Sequence, residues 1–299
     1  MLLSIVLILY HKICKITIFL HSFILFLLTF FIKSVIIIKI NILGSFMKNT
    51  FCEIASSSFN RDIRFALVSD LHAQDYHEAL ELVREANPDY ILFGGDIFEA
   101  LDGGFAAKNE KIFPLFFEAV KIAPSFYCTG NHEDGATHSE LKGLKSFYGM
   151  GHRYSEESLN IIKSSGVKLL MDEYIIVDGI AFGGLASGLV SSNGEPNLEF
   201  LHRFAKLSEP KVLISHHPEY YQKYIKKLPI DIVVSGHAHG GQWRFFNQGV
   251  FAPGQGVFPR YTSGVYDNKL VVSKGLKKTT IPPRIFNPRE VVIIDVKSK

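Results

Sequence analysis

The feature that most constrains this chain is a set of short apolar runs, each leading into a polar cluster of one restricted chemistry. Residues 63–69 lead to Asp70-Leu71-His72, Tyr90–Phe93 to Gly95-Asp96, and 125–128 to Gly130-Asn131-His132. Further on, Lys211–Ser215 leads to His216-His217-Pro218, and 231–235 to Gly236-His237-Ala238-His239. Apolar runs of this length without polar alternation predict strands buried on both faces, and such strands belong to sheets covered by helices. The intervening segments carry helical spacing. Ala79, Leu80, Leu82, Val83 and Ala86 recur on one face of 76–86, which stops before Asn87-Pro88. Helices are also predicted over 113–122, 156–165 and around 220–227, and Asp178-Gly179 marks a hairpin between 174–177 and 180–182. The class is therefore α/β, with one catalytic domain over 61–299 and 47–60 as the linker into it.

Side chains at the tips of such strands converge where ligands gather in α/β sheets. Asp, Asn and His together suit divalent cations held by oxygen and imidazole rather than by thiolate. His237 and His239 are two residues apart, so on an extended segment both point to one side. The cysteines take no part: Cys14, Cys52 and Cys128 are odd in number, lack framework spacing and imply no disulfide scaffold. Trp243, Phe245 and Phe246, just after the last cluster, read as strand core.

Charge is informative only after the chain is divided. The formal net charge is +3, but residues 1–46 hold four lysines (Lys12, Lys15, Lys33, Lys39) and no acid. Removing those four leaves 28 of the 32 bases against 29 acids, a net charge of −1. A near-neutral catalytic part argues against affinity for nucleic-acid phosphates. Segment 1–46 itself is dominated by Ile, Leu and Phe. Its best membrane span is 16–32, at the short limit for crossing ~30 Å of hydrocarbon. Two readings stand: a membrane anchor, which is the favoured expectation, or an over-extended start with translation from Met47 and a cytoplasmic enzyme.

The ordered string D-x-H, G-D, G-N-H-E, S-H-x-P and G-H-x-H-G-G-Q resembles the calcineurin-like metallophosphoesterase superfamily. Tyr261-Thr262-Ser263-Gly264-Val265-Tyr266 and Pro283-Arg284-Ile285 are similar to its bacterial YkuE-like branch, often membrane-anchored. The resemblance covers about 63–296. It implies a four-layer α-β-β-α sandwich with a dinuclear metal site at the strand ends. Asp70, His72, Asp96 and His239 would hold one divalent ion (Mn, Fe, Zn or Mg), and Asp96, Asn131, His216 and His237 the other. A bridging carboxylate at Asp96 is chemically apt, because its two oxygens can join ions about 3.5–4 Å apart.

The same resemblance implies in-line attack on phosphorus by a metal-bridging hydroxide, with His132 as general acid. In the protein-phosphatase branch an Asp three residues after the Gly-Asp aspartate orients that histidine, and an arginine follows it. Here Glu99 takes the first place, with a longer side chain that could still reach and orient His132, and Ala100 the second, which disfavours a protein phosphatase. His217 competes with His216 as ligand, and Glu133 and Asp134 either tune His132 or support the ligands from behind. The expected substrate is a phosphodiester or a lipid-linked phosphate. A non-catalytic metal-binding scaffold on the same fold is the alternative, although it would be expected to have lost ligands that are all present. A metallo-β-lactamase-like enzyme would need a compact His-x-His-x-Asp-His, and Gly240-Gly241-Gln242 follows His239 instead.

Overall fold

The computed structural model describes residues 21–22, 25–31, 33, 46–99, 110–134, 154, 156–187, 195–278 and 283–299. Two six-stranded sheets organise the described residues. The first contains β1 (Met47–Ser56), β2 (Ile63–Val68), β3 (Tyr90–Phe93), β4 (Ser125–Tyr127), β5 (Lys168–Leu169) and β16 (Arg289–Ser298), in the order β1-β16-β2-β3-β4-β5. The second contains β6 (Glu173–Val177), β7 (Ile180–Leu185), β8 (Lys211–Ser215), β9 (Ile232–Ser235), β14 (Gly264–Tyr266) and β15 (Leu270–Val272), in the order β14-β15-β9-β8-β7-β6. Two hairpins lie between β9 and β14. One pairs β10 (Arg244–Phe245) with β11 (Gln248–Gly249), the other β12 (Phe251–Ala252) with β13 (Gly256–Val257).

The pleat sorts each buried strand between two cores. In β2, Ile63, Phe65 and Leu67 face a core shared with the second sheet, while Ala66 and Val68 face the helices α1 (His77–Ala86), α2 (Phe113–Ala119) and α3 (Glu156–Ser164). In β8, Val212 and Ile214 enter the shared core, and Leu213 turns outward beneath α4 (Leu198–Ala205). Phe126 and Phe182 stack across the two sheets with ring centroids 3.8 Å apart. The result is four layers, α-β-β-α, as the family resemblance implies. The two-sided burial explains why these strands read as continuous apolar runs.

Topology brings the polar clusters together. β2, β3 and β4 are parallel, with Val68 opposite Phe93 and Phe93 opposite Tyr127, so the loops after them emerge side by side. β8 and β9 are likewise parallel, with Ile214 opposite Val234. β16 runs antiparallel to β2, and β1 runs parallel to β16. The chain therefore enters β1 at the end of the first sheet where β2–β4 finish.

Several sequence expectations change. Residues 47–56, read as part of a linker, form a ten-residue edge strand whose every residue is in register with β16. The segment around 220–227 is helical as expected, and Tyr221–Ile225 within it is a π-helical turn. Trp243, Phe245 and Phe246 are not strand core: they are 36%, 48% and 105% exposed on the first hairpin. Of the 16–32 segment, residues 21–22 and 25–31 are helical, and the others lie outside the described residues. Among the described residues, no helix is long and apolar enough to cross a membrane.

Candidate metal centre

The loops after the five strands place their polar side chains in one buried pocket. Asp70, His72, Asp96 and His216 are each at most 3% exposed, and Asn131 and His237 are below a tenth. Asp96 lies at the centre. Its Oδ2 is 3.2 Å from His216 Nε2, 3.6 Å from His72 Nε2 and 4.0 Å from His132 Nε2. Its Oδ1 accepts the His132 backbone N–H at 2.9 Å. Potential ligand atoms of Asp70, His72 and His239 lie within 4.8 Å of one another, and so do those of Asp96, His216 and His237. Asn131 Oδ1 is 3.2 Å from His216 Nε2, on the second of these groups.

The local backbone is strained to achieve this. Asp70, His72, Asp96, His237 and His239 all hold positive φ, between 46° and 65°. Non-glycine residues avoid that region unless surrounding contacts over-determine it. Here they do. Glu133, read from sequence as a partner of His132 or a supporting residue, accepts the backbone N–H groups of Asp96, Phe98 and Gly130 at 2.6–2.9 Å and ties two ligand loops together. Asp134 accepts from Thr129 Oγ1 at 2.7 Å. Gly130 is required by close approach, because a Cβ there would collide with the Asp96 carboxylate.

Neighbouring bonds orient the imidazoles. His216 Nδ1 is 2.7 Å from the Gly94 carbonyl oxygen, so it donates there and leaves Nε2 facing Asp96 and Asn131. His217 turns the other way. Its Nδ1 is 3.1 Å from Glu219 Oε1, and that oxygen is also 3.9 Å from His237 Nε2. The geometry thus puts His216 rather than His217 against Asp96. His132 stands at the pocket's mouth with its Nδ1 2.9 Å from Glu99 Oε1. The longer Glu side chain reaches, and its other oxygen lies 3.4 Å from His72 Nδ1.

The donor set fits divalent cations. Asp70 Oδ2 and His72 Nε2 are buried atoms with no hydrogen-bond partner, an expensive arrangement unless a cation satisfies them. Burial pulls His72 below the usual imidazole range and His237 and His239 well below it, so all three are neutral ligands at neutral pH. Burial raises the Asp70 carboxyl, and a cation opposes that. At Asp96 burial also raises, but His216, His132 and His72 outweigh it and hold the carboxyl well below its usual range. His216 is pushed up to about 10, because Asp96 overcomes the effect of burial, and cation binding would displace that proton.

The calcineurin-like phosphoesterase profile matches residues 63–241, more than half of the chain. The chain belongs to this family. Calcineurin-like phosphoesterases are hydrolases of phosphoester bonds. Relatives include the metallophosphoesterase YkuE of Bacillus subtilis, 25% identical over 77% of this chain and 77% of its own length. A metallophosphoesterase of Campylobacter jejuni is 25% identical over 81% of this chain and 61% of its own length. The phosphodiesterase YaeI of Escherichia coli is 26% identical over 64% of this chain and 60% of its own length. The chain thus spans about three-fifths of the length of the Campylobacter and Escherichia relatives.

Two residues of the centre, Glu219 and Lys277, escaped sequence reading, and Arg284 was read only as part of a family motif, without a place in the centre. Glu219 backs His217 and His237, and its Oε2 is buried without a partner. Lys277 Nζ lies 3.3 Å from His72 Nδ1 and 3.5 Å from Glu99 Oε2. Arg284, 1% exposed, donates to the Lys274 and Lys277 carbonyls and lies 3.4 Å from His239 Nδ1. Lys277 and Arg284 sit more than thirty residues beyond His239, and spacing alone gives no link between them and the ligands.

Proposed function

We propose that this protein is a dinuclear metallophosphoesterase that hydrolyses a phosphodiester or a lipid-linked phosphate, with His132 as general acid. The observation that carries the reading is the His132–Glu99 pair beside Asp96. A non-catalytic metal scaffold has no use for an oriented imidazole at the mouth of its pocket. Asp70, His72, Asp96 and His239 would hold one divalent cation, and Asp96, Asn131, His216 and His237 the other. When bound, such ions supply a water-derived nucleophile at neutral pH and neutralise charge on the phosphoryl oxygens.

The chain's own residues do the rest. Glu99 accepts the Nδ1–H of His132, which fixes the tautomer and leaves Nε2 toward the pocket. Burial disfavours the imidazolium, but Asp96 and Glu99 outweigh it and raise the His132 pKa above the usual range. A protonated Nε2 can then deliver its proton to the leaving oxygen. The name of the Escherichia relative, a phosphodiesterase, favours a diester. Segment 16–32 serves as a membrane anchor in this reading and brings a lipid-linked phosphate within reach.

The test uses detergent-solubilised full chain, stripped of metal and refilled with manganese, zinc, iron or magnesium. Turnover of bis(p-nitrophenyl) phosphate and p-nitrophenyl phosphate is then compared. Activity that persists without any metal defeats the mechanism. His132→Ala should keep normal metal content by elemental analysis and lose roughly 10²–10⁴-fold in turnover. That loss should grow as the leaving group becomes poorer, and an equal loss across leaving groups defeats the acid role.

A further inference from the structure

The two hairpins between β9 and β14 carry a surface that the chemistry of the pocket does not use. Phe246 and Phe258 are 105% and 70% exposed, and Phe245, Phe251 and Phe286 are each more than 40% exposed beside Trp243. Phe245 and Phe286 meet edge to face, with centroids 6.0 Å apart, and Trp243 Nε1 donates to the Pro283 carbonyl at 3.0 Å. An apolar cluster of this kind on a polar surface marks an interaction site.

Backbone conformation strengthens the point. Phe246, Phe258 and Phe286 all hold positive φ, at 47°, 52° and 51°. That region favours Gly or Asn, and a bulky aromatic there is an outlier. Phe246 and Phe258 are strained and bury little within the chain, so their benefit lies outside the chain, whereas Phe286 is half-exposed and packs on Phe245. Phe246 sits in the turn of the first hairpin and Phe258 directly after the last strand of the second, so both rings project rather than line a groove, a shape that enters a soft interface better than it mates with a rigid one.

Charge and topology identify the interface. Across 243–288 Arg260 and Lys278 are exposed cations, whereas Arg244 and Arg284 are buried and Lys274 is paired with Glu290. Exposed aromatic rings with an exposed cation, Arg260, two residues from Phe258 suit an anionic lipid surface. The apolar, acid-free segment 1–46 joins the domain at this same end. Phe46 carbonyl accepts the Arg289 N–H at 3.2 Å, and Arg289 lies three residues beyond Phe286. Both hairpins also flank the pocket. The Gly240 carbonyl accepts from Arg244 Nη1, and a Cβ on Gly254, in the turn of the second hairpin, would collide with Glu219.

We infer that the aromatic hairpin rim docks on an anionic bilayer surface and holds the mouth of the pocket against the headgroups. The docking stands on the rim alone. Its consequence for substrate, a phosphoester presented at the membrane interface, rests on the proposed phosphoesterase function.

Trp243 is the only tryptophan and lies in the rim, so it reports directly. Full chain is reconstituted into POPC:POPG vesicles with or without dibrominated phosphatidylcholine, and Trp243 emission is compared. Interfacial aromatics sit about 5–10 Å into the headgroup boundary, within reach of brominated chains, so emission should be roughly twofold lower with bromine. The double variant Phe246→Asn/Phe258→Asn should still float with the vesicles but lose the quenching. Its hydrolysis of soluble bis(p-nitrophenyl) phosphate should be unchanged. Equal emission with and without bromine overturns the inference, as does quenching that survives the double variant. Equal quenching in POPC alone overturns the anionic component. Shielding of Trp243 from iodide without lipid, rising with protein concentration, assigns the rim to a second copy instead. Quenching by a protein inactive on all phosphoesters would leave the docking intact and defeat only the catalytic reading.

Discussion

The buried pocket and the hairpin rim use the same costly backbone conformation for opposite ends. In the pocket, Asp70, His72, Asp96, His237 and His239 sit at positive φ, and the strain is offset locally. The His237 N–H reaches Asp70 Oδ1 at 2.8 Å, and Glu133 gathers three more backbone donors. In the rim, Phe246, Phe258 and Phe286 adopt the same conformation, with the first two rings largely in water and the third half-exposed against Phe245. Strain at a buried side chain held by internal contacts positions ligands, whereas strain at an exposed ring, as at Phe246 and Phe258, points to a partner outside the chain. The comparison separates two classes of functional residue that sequence pattern alone treats alike.

Removing the pocket's centre is the harshest way to probe it. Asp96→Ala takes away the carboxylate facing three imidazoles, and turnover should fall by roughly 10³-fold or more. Metal content should fall with it, measured on the same sample by elemental analysis. Retained metal with lost turnover would mean that Asp96 serves the chemistry without holding the ions.

A smaller change sharpens the role of Glu99. Proton delivery by His132 weakens as pH rises through its pKa, so that pKa sets the alkaline limb of kcat/KM. Burial lowers it, and Asp96 and Glu99 raise it above the usual range. Glu99→Gln removes one raising charge, so the alkaline limb should move to lower pH. The loss at pH 8 should be about tenfold or more, and smaller at pH 6. An unmoved limb would show that Glu99 is a structural neighbour only. The rim gives the smallest effect and the opposite sign. Phe246→Asn places a residue tolerant of left-handed backbone on an exposed turn, and should stabilise the fold by about 1 kcal/mol. Thermal unfolding checks this, and a destabilised variant would mean that Phe246 contributes to the fold itself.

Much of the centre was legible because metal chemistry restricts residue type and strand ends restrict position. Asp70, His72, Asp96, Asn131, His216, His237 and His239 each follow a run whose two-sided burial removes polar alternation. Glu219 and Lys277 were not legible, nor was the part that Arg284 plays, since each acts through a side chain whose neighbours come from distant loops. The reading of 47–60 as a linker missed β1 for a related reason. Apolar residues on an edge strand are only partly buried, and Thr50, Glu53 and Ser56 break the run that marks a central strand. Trp243, Phe245 and Phe246 misled in the other direction, because an apolar residue on a surface tip has the same composition as one in a core.

The sequence by itself determined the α/β class, the family and the residue types gathered at the strand ends, because periodicity and residue type are local properties that no packing rearranges. Only the tertiary structure decided which of two adjacent histidines faces Asp96. That choice hangs on the Gly94 carbonyl, brought from another sheet to 2.7 Å from His216 Nδ1. It also decided that Glu99 reaches His132 and that the aromatic residues after His239 face outward. Reach and exposure are set by how loops and sheets meet, and a linear pattern does not carry that information.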